Sequence, residues 1–355
     1  MTANLMRAVV LTGHGGYECI SVRDDVPVPI PGVGEVLVKI GAAAVNNTDI
    51  NTRVGWYSGG GWTGSFHFPR IQGIDGCGEV VAAGDAAGEQ LVGQRVLVEP
   101  SWREPHQPLA SARFFGSEVD GAFAQYAVVP ARHAHPIHSA LTNVELASFP
   151  CSYSTAENML MRAGVAAGER VLVTGASGGV GSAAVQLATA RGASVTALAS
   201  SGKHAAVRAL GAAEVVDRDC DLIATFGAAA FDVVIDVVGG SAWPALLGVL
   251  RPGGRYAVAG AIAGPEVALD LRTLYLNDIT MFGCTVLSEG VFEGLVRRIE
   301  RGEVKPLVAA VFALEQIVEA QELFLTKSHT GKIVLQVTEK WTSGQRDSTS
   351  TVESD

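Results

Sequence analysis

Along the first third of the chain, apolar positions come in short runs broken by glycine and proline. Arg7–Leu11, Val36–Ile40, Glu79–Ala82 and Arg95–Val98 are such runs, with punctuation such as PVPIPGVGE at 27–35 between them. Runs of this length bounded by turn formers predict β-strands. Near residue 150 the pattern changes. Ser154, Thr155, Ala156 and Glu157 form a capping box, a hydroxyl followed three residues on by a carboxylate, which predicts a helix beginning there and running through ENMLMRAG. Beyond it, predominantly apolar segments at 169–175, 193–199, 213–217, 231–239, 254–262 and 279–286 alternate with helical ones such as Val180–Arg191 and Lys203–Leu210. Another helix (Glu289–Arg301), a mixed segment and a last strand, GKIVLQV, follow. The final stretch TSGQRDSTSTVESD is polar and aperiodic, which predicts a disordered tail over 342–355.

Strands that are apolar throughout need cover on both faces, and crossover helices on a parallel sheet supply it. The fold class expected is therefore α/β: a β-rich first domain followed by a doubly wound parallel sheet of the dinucleotide-binding kind. The boundaries expected are 1–151 plus 287–340 for the substrate domain and 152–286 for the nucleotide domain. At 355 residues, with 48% hydrophobic and 17% charged positions, the chain can bury two such cores, and global disorder is excluded. The net charge of −10 argues against a partner with a phosphate backbone. Cys19, Cys77, Cys151, Cys220 and Cys284 are odd in number, far apart and without a CxxC pair, as in a reducing compartment. No apolar run approaches the ~20 residues of a membrane span, and that of MTANLMRAVVLTGHGG is too short for a signal peptide. A cytoplasmic location is expected.

The strongest local motif is VLVTGASGGVGSAAVQLA, in which a strand runs into Ala176, Gly178, Gly179, Val180 and Gly181 and then into an amphipathic helix. Glycines there permit a tight turn and close backbone approach, so a pyrophosphate can sit on the helix N-terminus. An NAD-preferring site places a carboxylate at the end of the second strand, for the ribose 2′-hydroxyl. Here that position reads Ala199, Ser200, Ser201, Gly202, Lys203. Small hydroxyls and an ammonium suit a 2′-phosphate, with Arg218 as a second cation, so NADPH is the expected cofactor. The other reading of Lys203 is a solvated residue at a helix start. Asp236, Gly239, Gly260 and Ala261 fall at the carboxyl ends of the fourth and fifth strands, where the nicotinamide half is expected to rest.

In their order, AAVNNTDINTRVGWY, GIDGCGEVVAAG, VDGAFAQYAVVPA, VLVTGASGGVG, FDVVIDVVGG, GRYAVAGAIAG and GKIVL resemble the medium-chain dehydrogenase/reductases, specifically the zinc-independent quinone oxidoreductase branch. The resemblance covers nearly the whole chain to about Val337. It implies a GroES-like catalytic domain and a Rossmann domain. At the family's catalytic zinc positions, a Cys, the His of Gly-His-Glu and a later Cys, this chain carries Asn46, Ile74 and Cys151. The four-cysteine structural lobe is absent, since EPSWREPHQPLASARFFGSEV at 99–119 holds no cysteine. An isoleucine cannot ligate and an amide is a poor substitute for thiolate, so no metal is expected. A site built from Cys151, Asp49 and Asp75 has no supporting spacing, and His133, His135 and His138 read as a solvated loop beside Pro130 and Pro136.

Hydride delivery without a Lewis acid favours an acceptor that spreads the developing charge, such as a quinone or an α,β-unsaturated carbonyl. The branch pattern V-N-x-x-D-x-Y-x-R-x-G-x-Y is met by Val45, Asn46, Asp49, Arg53, Gly55 and Tyr57, with Asn51 in place of the first tyrosine. The resemblance assigns Asn46 to the substrate oxygen or the nicotinamide ribose. It makes Tyr57 a hydrogen-bond or proton donor and Asp49 an orienting group. Tyr57 reads equally as a packing aromatic, and Tyr57–Phe68, YSGGGWTGSFHF, as either a mobile flap or a surface loop. Lys332 in GKIVL resembles the family's basic residue near the cofactor phosphates. The edge strand at 279–286 implies a homodimer. Two other functions stay open: an alcohol or aldehyde dehydrogenase with an atypical metal site around Cys151, and a catalytically quiet NADPH-binding protein.

Overall fold

A computed structural model describes residues 4–59, 66–104 and 106–338. The expected tail and the middle of the glycine-rich stretch, 60–65, lie outside the described residues. The second half forms a six-stranded, wholly parallel sheet. Across it the order is Glu214–Asp217, Ser194–Ala199, Arg170–Val173, Phe231–Asp236, Leu250–Val258 and Thr280–Gly283. The order reverses between the first and fourth strands in sequence, so their carboxyl ends flank a crevice, the position at which such sheets bind nucleotides. Helices Gly179–Ala190 and Val291–Glu300 also occupy the expected positions, within two residues at each end.

The first half is β-rich, as expected. A seven-stranded sheet runs in the order Ala134–Pro136, Arg95–Val98, Asp75–Ala83, Glu35–Ala44, Lys332–Gln336 and Val308–Ala313, with Tyr126–Pro130 also paired to Glu35–Ala44. Strand Glu35–Ala44 holds Val36, Val38, Ile40 and Ala42–Ala44 at zero exposure, so it is the sheet's buried spine. Chain return decides what happens next. Lys332–Gln336 lies antiparallel on that spine, with Val334 opposite Ala44 and Leu335 opposite Ala43, and so carries residue 332 to the segment that follows Ala44.

The helix after the β-rich region differs from the expectation. It spans Pro150–Arg162, with proline in its first turn, where a missing N–H costs nothing. Ser154 therefore sits inside the helix, fully buried, and its hydroxyl donates back to the Cys151 carbonyl at 3.3 Å. The capping-box spacing was fortuitous. The helix joins the two sheets: Phe149, Tyr153, Met159 and Leu160 pack in one cluster with Ala42, Ala44, Cys77 and Val334 of the first and Val171, Val173, Val233 and Ile235 of the second. Each such large apolar side chain contributes about 1.5–3 kcal/mol, so the two units share a core.

Candidate active site

Helix Asn47–Val54 begins directly after the buried strand Glu35–Ala44, and its start is fixed by a carboxylate. The Asn46 backbone N–H donates to Asp49 Oδ2 at 2.8 Å, which satisfies a donor the helix leaves open. Asp49 Oδ1 also accepts from the Ile74 N–H at 3.3 Å, and its backbone carbonyl accepts from Gln72 Nε2 at 2.8 Å. Asp49 thus orients neighbours. The Asn46 side chain turns away from the cap. Its Nδ2 donates to Asp75 Oδ2 at 2.8 Å and to the Ala44 carbonyl at 3.1 Å, while its Oδ1 accepts from Lys332 Nζ at 2.5 Å. Lys332 Nζ lies 2.8 Å from Asp75 Oδ2, and Asp75 Oδ1 accepts from the Cys151 N–H at 2.6 Å. Four distant segments, 44–49, 72–75, 151 and 332, meet on one ammonium and two carboxylates. Asp75 is fully buried and Lys332 3% exposed.

This geometry corrects two expectations. Both amide hydrogens of Asn46 are spent inside the protein, on Asp75 and the Ala44 carbonyl, so in this arrangement neither is left for a substrate oxygen. The Lys332 methylene stem does pass the phosphate loop, since a Cβ on Gly179 would lie 3.1 Å from its Cδ, but the ammonium is committed to Asp75 and Asn46. Burial, reinforced by the Asp75 charge, raises the Asp49 carboxyl to about 7 against the opposing Asn46 hydrogen bond. Burial, with Asp75 adding to it, pushes the Cys151 thiol up to about 12.

Tyr57 sits in the short turn Trp56–Gly59, half-buried, with its ring edge-on to Trp56 at 5.3 Å. Its hydroxyl shares a 2.9 Å hydrogen bond with Thr48 Oγ1, in the first turn of the helix that Asn46 starts. Burial raises its pKa against the opposing Thr48 hydrogen bond. Thr48 was not singled out in the sequence. Its signal was its place two residues after Asn46, inside the helix's first turn. The far end of the glycine-rich stretch is anchored where Phe66 and Phe68 pack on the His14 ring, at 5.5 and 4.8 Å.

Across the crevice, Gly175 adopts φ +57°, and a Cβ there would press on Val237 and Val238 at about 3 Å. A Cβ on Gly181 would lie 2.2 Å from the Gly175 carbonyl oxygen, so the helix can approach the turn only as glycine. The tight-turn role falls to Gly175, one residue before Ala176. Gly178 caps the helix, and Gly179 and Val180 open it. Ser200 precedes the turn Ser201–Lys203, and Lys203 Nζ donates to the carbonyls of Lys327 and His329, each at 2.7 Å. Lys203 is therefore not a solvated helix start. Arg218 is mostly exposed, and its backbone N–H donates to the Ala199 carbonyl at 3.1 Å. Burial, with Lys203 nearby, brings Lys327 down to about 8, and burial lowers His329 as well. Among the described residues, no carboxylate pairs with Lys203, Lys327 or His329. The latter two belong to the TKSHTGK tract at 326–332, whose density of basic residues is the sequence signal for this rim.

Asp236 is a third correction. It has no exposed surface, and its oxygens accept from Thr174 Oγ1 at 2.6 Å, Tyr256 Oη at 2.5 Å and the Val238 and Gly239 N–H groups. It fixes the turn without reaching the crevice. Gly239, Gly260 and Ala261 are brought together there, because the loops after the fourth and fifth strands bond through Ala263 N to Val238 O at 2.9 Å and Gly240 N to Gly264 O at 3.1 Å.

Residues 32–139 match the alcohol dehydrogenase GroES-like domain and residues 179–301 match the zinc-binding dehydrogenase family. The human quinone oxidoreductase is 31% identical over 93% of this chain and 98% of its own. An acryloyl-coenzyme A reductase from Metallosphaera sedula is 30% identical over 93% and 99%. The chain belongs to the medium-chain dehydrogenase/reductase superfamily. A Sinorhizobium meliloti 1021 crystal structure, provisionally an alcohol dehydrogenase, superposes with a TM-score of 0.89 at 45% identity, covering 94% of this chain and 96% of that one.

For a medium-chain dehydrogenase/reductase, the question is whether the residues at the catalytic zinc positions fit the metal. They do not. The Asn46 amide oxygen and the Asp75 carboxylate are already bonded to the Lys332 ammonium, and Ile74 has no donor atom, which leaves Cys151 alone as a ligand. A cation is present at this point of the fold, and it is a lysine. The nucleotide positions do fit: a backbone cradle closed by Gly175 and Gly181, with an uncompensated basic rim beside it.

Proposed function

We propose that the protein is an NADPH-dependent reductase that delivers hydride to a quinone or an α,β-unsaturated carbonyl, a conjugated thioester included, without zinc. The observation that carries this is the Lys332 ammonium bonded to Asn46 and Asp75, where a superfamily alcohol dehydrogenase places metal ligands. The names of the quinone oxidoreductase and acryloyl-coenzyme A reductase relatives support the acceptor class. Bound NADPH supplies the hydride. Gly178, Gly179 and Gly181 are the groups to hold its pyrophosphate, Ser200, Ser201, Lys203, Lys327 and Arg218 its 2′-phosphate end, and Gly239, Gly260 and Ala261 to border its nicotinamide half. The second strand is followed by Ser200 and Ser201 and not by a carboxylate.

Conjugate addition leaves negative charge on the acceptor oxygen. Tyr57 donates a hydrogen bond to that oxygen and Thr48 holds the phenol in place, while the Lys332–Asp75–Asn46 knot keeps the helix start rigid. We also infer a homodimer through the Thr280–Gly283 edge. Exposed Ile262, Leu271, Tyr275 and Leu276 are apolar and neighbour it in sequence. A cytoplasmic location is consistent with five free cysteines. None of the described helices is long and apolar enough to cross a membrane.

The test is NADPH consumption with a quinone, a conjugated enone and the matching saturated ketone, each with and without chelator and with NADH as control. Reduction of quinone or enone alone, untouched by chelation, is the expected result. Ketone reduction lost on chelation would overturn it in favour of a metal dehydrogenase. NADPH binding without turnover of any acceptor would favour a quiet binding protein.

A further inference from the structure

Glu99 directly follows the Arg95–Val98 strand, and the neighbouring edge strand Ala134–Pro136 is preceded by His133 and contains His135. Leu97 lies opposite His135 and Val98 opposite Ala134, and the Glu99 N–H donates to the His133 carbonyl at 2.9 Å. This register turns three side chains toward one point. Glu99 Oε2 lies 2.6 Å from His133 Nδ1 and 3.1 Å from His135 Nε2, and the three ligand atoms fall within 4.8 Å of one another. The side chains are only 14%, 12% and 10% exposed, so the expected solvated loop is absent at His133 and His135. Each ring is held from behind: Trp102 stacks on His133 at 5.3 Å, and Phe292 packs against His135 at 4.8 Å.

We propose that Glu99, His133 and His135 form a zinc-binding site, separate from the catalytic cluster, that ties the end of one strand to the edge of the sheet. Two imidazoles and one carboxylate are a zinc donor set and a poor one for magnesium or calcium. Tetrahedral zinc with bonds of about 2.0–2.2 Å separates its ligand atoms by about 3.4 Å. The two contacts need to open by less than about 1 Å, and water completes the shell. Without metal, both contacting nitrogens carry hydrogen, because an ionised carboxylate only accepts. Arg132 Nε donates to His133 Nε2 at 3.0 Å and so holds that tautomer. Zinc takes the lone pairs of Nδ1 and Nε2, and the protons move to the far ring nitrogens. Arg132 must then turn away, which its 49% exposed side chain and its partner Glu104 allow.

Full-length protein stripped of metal is titrated with Zn²⁺, following heat and Trp102 fluorescence, with Mg²⁺ as control. One Zn²⁺ per chain is expected. Glu99→Gln and His135→Gln should each weaken it by more than the roughly 10–100-fold typical of losing an outer partner. Arg132→Gln, at an exposed position, should bind Zn²⁺ several-fold more tightly. Absence of zinc binding would overturn the proposal and leave a histidine–carboxylate–histidine hydrogen-bonded bridge. Binding unchanged in the glutamate and histidine variants would also overturn it, by placing the ion elsewhere. Unchanged affinity in Arg132→Gln would count against the tautomer exchange, and a variant that melts like wild type without metal keeps these readings free of misfolding.

Discussion

The crevice holds positive charge in two regions built on opposite plans. Lys332 is sealed in and matched by Asp75 and Asn46. Lys203 and Lys327 form a rim without a carboxylate partner among the described residues, with His329 beside them, and burial lowers the pKa of all three, which leaves the imidazole neutral near pH 7 and the positive charge on the two lysines. Lys327 also adopts φ +52°, a conformation that lysine occupies only at a cost. A compensated cation is structural. Uncompensated cations held together are destabilising until an anion arrives, which is the signature of a site shaped for its ligand.

The largest test of this contrast is Lys332→Met. It leaves Asp75 ionised, buried and unpaired, so a loss of about 3–5 kcal/mol is expected in urea unfolding. A loss under 1 kcal/mol would mean that Asp75 takes up a proton instead. Next comes Lys327→Ala, which spares the buried knot. Its expected effect is about a tenfold rise in KM for NADPH, about 1.4 kcal/mol, with kcat held and the NADH reaction unmoved. Because Lys327 sits near 8, wild-type NADPH affinity should fall as pH rises through 8, a step missing from the variant. An unchanged KM would remove Lys327 from the cofactor site.

Asp49→Asn tests the neighbouring buried carboxyl through the pH dependence of stability. The Asp49 carboxyl holds its proton up to about 7 in the folded protein against 3.8 as its ordinary value. The folded state therefore binds more protons between those limits, and stability declines as pH rises from about 4 to 7. Melting curves of the variant should lack that decline. If both proteins show the same slope, Asp49 is ionised throughout and its backbone hydrogen bonds outweigh its burial.

The parallel sheet could be read from the chain because its strands are apolar on both faces and its phosphate loop is local. Strand, glycines and helix at 170–190 lie within one stretch, and each residue there depends chiefly on near neighbours. The helix at Pro150 was misjudged because a buried Ser154 and Glu157 happen to repeat the spacing of a capping box. That coincidence yields only to seeing which face is covered. Asp236 was misplaced for a related reason. Its position at a strand end was legible, but the hydroxyls of Thr174 and Tyr256 that consume its oxygens come from other strands.

By itself, then, the amino-acid sequence determined the class of fold, the nucleotide cradle and the loss of the zinc ligands, because each depends on local pattern or residue identity. The tertiary structure alone decided where Lys332 points, that Asn46 is fully engaged, and that Glu99 meets two histidines. Those contacts join residues 34–286 positions apart. No periodicity records them, and they exist only because an antiparallel return of the last strand and a shared sheet edge bring buried charges to their partners.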